Sequence, residues 1–255
     1  MVACDEAAVV AIFCTENMIM KDRNIPLYTT RMKVAELIES DYNLLLLFPR
    51  FGLELGVGDS TVSELCIRQG VSPQLFVMMC NIYSHTDYMP SADDVRQLDV
   101  EQLLGYLSRS HTYYVVSRIK PIEEQLKALS AQCSQAHSAV LQRFFAEYEQ
   151  EVLNHFSYEE NTVFPYIRTL MASHKMQPTY DIETFSHNHS NIDDKLCDLK
   201  NILVKHLRGI GMAAQTTELL FQIFSLEEDL SRHTFIEDVV LIPLVQHLEK
   251  TVYDN

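Results

Sequence analysis

Two stretches of this 255-residue chain, His155 to Pro165 and His233 to Pro243, share the pattern His-x3-Glu-x5-Pro. On a helix, residues four apart lie on one face, one turn apart. Each stretch therefore aims an imidazole and a carboxylate, His155 with Glu159 and His233 with Glu237, at one point. Imidazole with carboxylate is a ligand set for a first-row metal such as iron, manganese or zinc. Two further histidines fall into register. His111 precedes His155 by 44 residues and His189 precedes His233 by the same 44, so the two pairs are offset by 78. A duplicated helix pair would give each half one His from its first helix and one His and one Glu from its second.

Six such side chains converging inside a bundle make a two-metal site with ligands His111, His155, Glu159, His189, His233 and Glu237. Glu159 and Glu237 could each bridge the two ions, which sets an intermetal distance of about 3.5–4 Å. Two octahedral ions would still have positions left for an oxo or hydroxo bridge and a small ligand, the mark of a reactive site and not a structural one. No catalytic residue beyond the metal centre is expected. His187 is the rival of His189, but only His189 keeps both spacings. Glu160, Glu228, Asp229 and Asp238 are near enough in sequence to serve as acceptors for the ligands' free ring N–H groups. His85, His137, His174, His206 and His247 are out of register and read as surface residues.

The elements that must position these residues read as helices. Apolar residues recur at three and four in four long segments: about Asp99 to Ser130, interrupted near Pro121; Gln135 to Ser173; Ile182 to Leu207; and Ala214 to Val252. The expectation is an all-α protein, an antiparallel four-helix bundle over residues 93–252. Pro165 and Pro243 fall inside their helices and predict a shared kink, or a helix end, just past the candidate ligands. A small helical module precedes the bundle over residues 30–88, with a capping box at Thr61 to Glu64 and a Ser72-Pro73 helix start. Residues 1–29 read as a tail, either disordered or preceding the true start. Thr86 to Asp94 reads as the linker.

Composition narrows the function. A formal net charge of −15 argues against a nucleic-acid-binding surface. No apolar run is long enough to span a membrane, and the apolar stretch Ala7 to Cys14 follows acidic residues, which makes a poor signal peptide. The six cysteines, Cys4, Cys14, Cys66, Cys80, Cys133 and Cys197, are scattered without a C-x-x-C pair and read as reduced residues of a cytoplasmic protein. Neither the Glu-x-x-His spacing of ferritin-like proteins nor the His-Glu-x-x-His of zinc peptidases occurs at these sites.

With its two His-x3-Glu-x5-Pro helices, His111 and the stretch Asn188 to Leu196, the chain resembles the hemerythrin-like, cation-binding His-His-Glu family over residues 93–250. Within it the chain looks most like the repair-of-iron-centres di-iron proteins. The first module, through Val34 to Leu37, Phe51 to Leu55 and Thr61 to Cys66, resembles that group's small N-terminal domain. The resemblance implies two non-haem iron ions, oxo- or hydroxo- and carboxylate-bridged, and a role in repair or protection of iron–sulfur clusters under nitrosative or oxidative stress. Implied partners are oxygen, nitric oxide and damaged iron–sulfur proteins, with no nucleic acid and no membrane. The alternative is an oxygen- or nitric-oxide-binding sensor or carrier without turnover. One departure stands out: the family usually carries adjacent cysteines where this chain has Gly56-Val57. That puts any thiol-dependent part of the activity in doubt and leaves the di-iron reading untouched.

Overall fold

The computed structural model describes residues 26–173, 180–188, 192–205 and 213–253. Their regular structure is helical, with only an isolated bridge between Lys33 and Thr61 in place of a sheet. The all-α helical bundle expected from the periodicity is the fold.

The N-terminal module comprises α1 (Val34–Ser40), a 3-10 turn (Tyr42–Leu46), α2 (Leu47–Phe51), α3 (Val62–Arg68) and α4 (Pro73–Ser84). Local chemistry sets its boundaries. Helix α2 stops at Gly52, whose φ of 69° lies in the left-handed region that glycine enters without a Cβ penalty. Helix α3 opens on the expected capping box, with Thr61 and Glu64 satisfying each other's backbone N–H groups. Helix α4 opens with Ser72 as cap and Pro73 in its first turn. The segment read as a linker runs into a short helix, α5 (Ala92–Arg96), capped by Ser91.

The first long helix is α6 (Val100–Tyr113) continued by α7 (Lys120–Ser130), and the second is α8 (Gln135–Tyr158) continued by α9 (Phe164–Ser173). The third is described as α10 (Ile182–Asn188) and α11 (Ile192–Lys205), and the fourth as α12 (Ala213–Ile236) continued by α13 (Ile242–Tyr253). Helices α7, α8, α11 and α12 pack as a ring, each against two neighbours. No helix among the described residues is long and apolar enough to cross a membrane.

Two apolar cores fill the molecule. One lies inside the ring of four and includes Ile122, Leu126, Phe145, Tyr148, Val152, Phe156, Leu199, Ile223 and Leu226. The other joins the N-terminal module to the far end of the bundle, from Leu47, Phe76 and Met79 through Leu103 and Tyr106 to Phe164, Ile167, Val240 and Leu244. Along the second long helix the buried residues of the first core end at Phe156 and those of the second begin at Val163; along the fourth they end at Leu230 and begin at Ile236. Glu159, His233 and Glu237 fall at this seam and are buried there, together with His111, Arg50 and Asp229. Buried polar groups collected between two apolar cores must satisfy one another or hold an ion.

Candidate metal centre

Each of three long helices passes through one widened turn near the seam. These π segments are Tyr114–Ile119, Glu159–Val163 and Glu237–Leu241. The residue closing each one donates its N–H five residues back: Lys120 to Val115 O, Phe164 to Glu159 O and Ile242 to Glu237 O. The next residue is in every case a proline, Pro121, Pro165 or Pro243. Proline brings no N–H and its ring collides with the carbonyl four residues earlier. A turn wider by one residue relieves both problems without ending the helix, and such turns gather at functional sites. The expected kink or helix end at Pro165 and Pro243 is thus a π turn with the helix continuing as α9 and α13. A further regularity escapes a reading of the two repeats alone: Pro121, Pro165 and Pro243 each follow a candidate histidine, His111, His155 or His233, by ten residues.

The widening begins at the candidate carboxylates and not before them. Glu159 still donates its backbone N–H to His155 O, so the pair keeps the four-residue relation that puts both side chains on one face. Glu159 Oε1 lies 3.3 Å from His155 Nε2, and Glu237 Oε1 lies 2.9 Å from His233 Nε2.

Across the bundle, His111 from α6 meets both halves. Its Nε2 is 2.9 Å from Glu159 Oε2 and 3.2 Å from His233 Nε2. His111, Glu159, His233 and Glu237 form a buried group whose ligand atoms all lie within 4.8 Å of one another. The side chains of Glu159 and Glu237 are wholly inaccessible to solvent. Two carboxylates and two imidazoles so close in a dry interior carry a heavy desolvation cost that a bound cation offsets. The donor set therefore fits a metal. His155 stands at the edge of this group, against Glu159; His189 lies outside the described residues.

The surroundings are aromatic. His111 stacks on Phe156 with ring centroids 4.2 Å apart and lies nearly parallel to Phe164 at 5.8 Å. Of the four acidic neighbours considered as acceptors for ring N–H groups, Glu160 takes the role for His111, its Oε1 lying 2.8 Å from Nδ1. That bond is the main cause holding the Glu160 carboxyl below its ordinary value, against the opposing effect of partial burial. Burial holds His233 below its ordinary value as well, toward the neutral form a metal requires, although Glu237 opposes it.

Asp229 has a different partner. Its carboxylate takes a two-pronged ion pair from Arg50 of the N-terminal module, with Nη1 2.9 Å from Oδ1 and Nη2 on Oδ2. The Tyr83 hydroxyl donates to the same Oδ1 at 2.7 Å. Burial disfavours the charged guanidinium, but Tyr83, Tyr114 and Asp229 outweigh it and keep Arg50 protonated. Removing one partner of such a buried pair costs about 3–5 kcal/mol, because the other charge is left uncompensated. No sequence signal marked Arg50: it follows Pro49 in a short helix and reads as an exposed end residue, yet its side chain is fully buried.

The loop bearing Gly56-Val57 has its own constraint. Gly56 sits at φ 86°, a backbone conformation that side-chain-bearing residues rarely adopt. Adjacent cysteines at Gly56 and Val57 would strain this loop as folded. The cysteines on the next two helices are buried: desolvation pushes the Cys66 thiol up to about 12 and that of Cys80 well above its ordinary value.

Comparison with known proteins agrees with this geometry. Residues 119–245 match the family model of the hemerythrin HHE cation-binding domain. The matched stretch carries His155, Glu159, His189, His233 and Glu237, while His111 lies before it and is brought to the same group by the fold. No curated protein and no solved structure matches the chain. The bundle is hemerythrin-like and holds a His/Glu cluster of the kind that binds a cation.

Proposed function

We propose that this hemerythrin-like bundle holds two non-haem iron ions and that the protein serves the repair or protection of iron–sulfur clusters under nitrosative or oxidative stress. The observation that carries the reading is the pair of buried carboxylates, Glu159 and Glu237, each against a histidine of its own helix and within 4.8 Å of His111 and His233. Two anionic groups in one dry pocket call for cationic charge, and carboxylates so placed can be shared between two ions. His111, His155, His189 and His233 would be terminal ligands, and Glu159 and Glu237 bridging ones. Bound iron would supply one-electron chemistry and open positions for small ligands such as oxygen or nitric oxide.

The chain's own residues would do the rest. Glu160 orients His111 by taking its Nδ1–H, which commits Nε2 to the centre. Phe156 and Phe164 cover the His111 ring and keep bulk water from that side. An apolar wall of this kind admits small diatomic molecules and excludes large or charged ones, so damaged iron–sulfur proteins would be served by released iron or by removal of nitric oxide, not by entry of the cluster. A cytoplasmic setting belongs to the same reading, because its scattered cysteines would stay reduced there.

The same aromatic wall also suits a sensor or carrier that binds oxygen or nitric oxide without turnover. One experiment separates the two. An iron–sulfur enzyme inactivated by nitric oxide is incubated anaerobically, under a thiol reductant, with the iron-loaded protein, and with a control chain, given the same iron treatment, in which Glu159→Gln and Glu237→Gln are combined. Recovery with the native chain alone supports repair. Reversible oxygen or nitric oxide uptake with no recovery supports the sensor or carrier and contradicts repair.

A further inference from the structure

Hydrogen bonds do not account for the orientation of His233 on both sides of its ring. Its Nε2 faces Glu237 and His111, but its buried Nδ1 has no hydrogen-bond partner among the described residues. His111, in contrast, is held through Nδ1 by Glu160. A ligating histidine is normally fixed by such a second bond. What holds the His233 ring here is aromatic packing. Tyr114 meets it edge to face at 5.4 Å and 80°, and Phe156 at 6.0 Å and 78°.

Tyr114 is itself tethered. Its hydroxyl lies 3.1 Å from the Asp229 backbone carbonyl and 3.2 Å from Asp229 Oδ1, and it donates to this pair of acceptors. Asp229 stands one turn before His233 on α12. The Arg50 guanidinium clamps the Asp229 carboxylate and lies over the Tyr113 and Tyr114 rings at 4.6 and 4.9 Å. A continuous buried path therefore runs from the N-terminal module to the candidate centre: Arg50, Asp229, Tyr114, His233. Every residue in it is buried.

We propose that Tyr114 and Arg50 are positioning residues for the His233 half of the centre, so that docking of the N-terminal module governs how tightly that half binds its metal. This rests on the reading of His233 as a ligand. Released from Asp229, the Tyr114 ring loses its fixed angle, and the His233 ring, with no bond on Nδ1, turns with it. The half containing His111 and Glu159 keeps its own tie through Glu160.

The test uses the full chain, stripped of metal and titrated anaerobically with ferrous iron against a chromogenic chelator. Absorption spectra of the loaded protein and thermal unfolding of the stripped protein are recorded alongside. The variants are Tyr114→Phe, which removes only the hydroxyl, and Arg50→Lys, which keeps the charge but not the fork. Tyr166→Phe is the control, since it removes a hydroxyl bonded to Glu249. The expected result is that both test variants bind one iron as the native chain does and the other about ten- to a hundredfold more weakly, with a changed spectrum. Tyr166→Phe should lower the unfolding temperature and leave both irons and the spectrum as they were. Native affinity for both irons and a native spectrum in Tyr114→Phe and Arg50→Lys would overturn the proposal and leave the metal reading standing. A native chain that takes up no iron would overturn both.

Discussion

Glu160 takes His111 by its Nδ1 at 2.8 Å and so turns the other ring nitrogen toward Glu159, its own neighbour in the chain. Two successive residues of one helix thus act on opposite sides of one imidazole, a relation that the widened turn beginning at Glu159 brings with it. Replacing Glu160 with Gln removes the charge that favours the Nδ1–H tautomer but keeps an acceptor. The expected effect is a loss of metal affinity of about tenfold to a hundredfold with little change in the stability of the metal-free chain. Chelator competition and thermal unfolding, run on the same preparation, check both halves of the statement.

The three prolines ten residues beyond the histidines should matter more to the centre than to the fold. Pro165→Ala with Pro243→Ala restores two backbone donors and allows the π turns to close to ordinary α geometry. Alanine favours a helix interior by about 3 kcal/mol over proline. Helix content by circular dichroism should therefore hold or rise while metal uptake falls. Unchanged uptake would show that the wide turns, and the register they give α9 and α13, do not depend on the prolines.

Burying Glu159 and Glu237 together disfavours the metal-free chain. Glu159→Gln with Glu237→Gln should leave the stripped protein at least as stable as the native one while abolishing its response to iron. For the native chain, free iron at a hundred times its dissociation constant should add about 2.7 kcal/mol at a single site. Denaturant unfolding with and without ferrous iron measures both. A stripped double variant markedly less stable than the stripped native chain would mean that these carboxylates are structural.

The thiols of the N-terminal module should be inert. Attack by a maleimide needs the thiolate, and burial holds Cys66 at about 12 and Cys80 higher still. In the native protein at about pH 8, peptide mass spectrometry should find both unmodified under conditions that label them fully in denaturant. As pH rises toward 12, Cys66 should begin to react first. Rapid native labelling of Cys66 would show that the module opens and would restore thiol chemistry to the account.

The helices were legible because their signals are local. The Thr61 capping box, the Ser72-Pro73 start and the apolar stripes from Leu103 to Leu230 each act within a few residues. His111, Glu159, His233 and Glu237 were named from spacing alone, because a duplicated helix pair turns equal sequence intervals into one meeting point. What spacing did not reveal is what depends on distant chain. Arg50 and Asp229 are 179 residues apart, and nothing local distinguishes either from a surface charge. The π turns were half visible: proline announced a disturbance, but whether a helix ends or widens is decided by the apolar residues beyond, such as Phe164, Ile167, Val240 and Leu244, which gain a second core only if the helix continues.

Iron content is the most direct measure of a two-iron centre built on these residues. Protein purified without oxygen, loaded with ferrous iron and freed of excess should carry two irons per chain. On exposure to air it should gain a near-ultraviolet charge-transfer absorption that is missing from a His155→Ala, His233→Ala double variant. One metal per chain, zinc in preference to iron, or no uptake at all would contradict the account, leaving a hemerythrin-like bundle whose buried histidines and carboxylates serve another purpose.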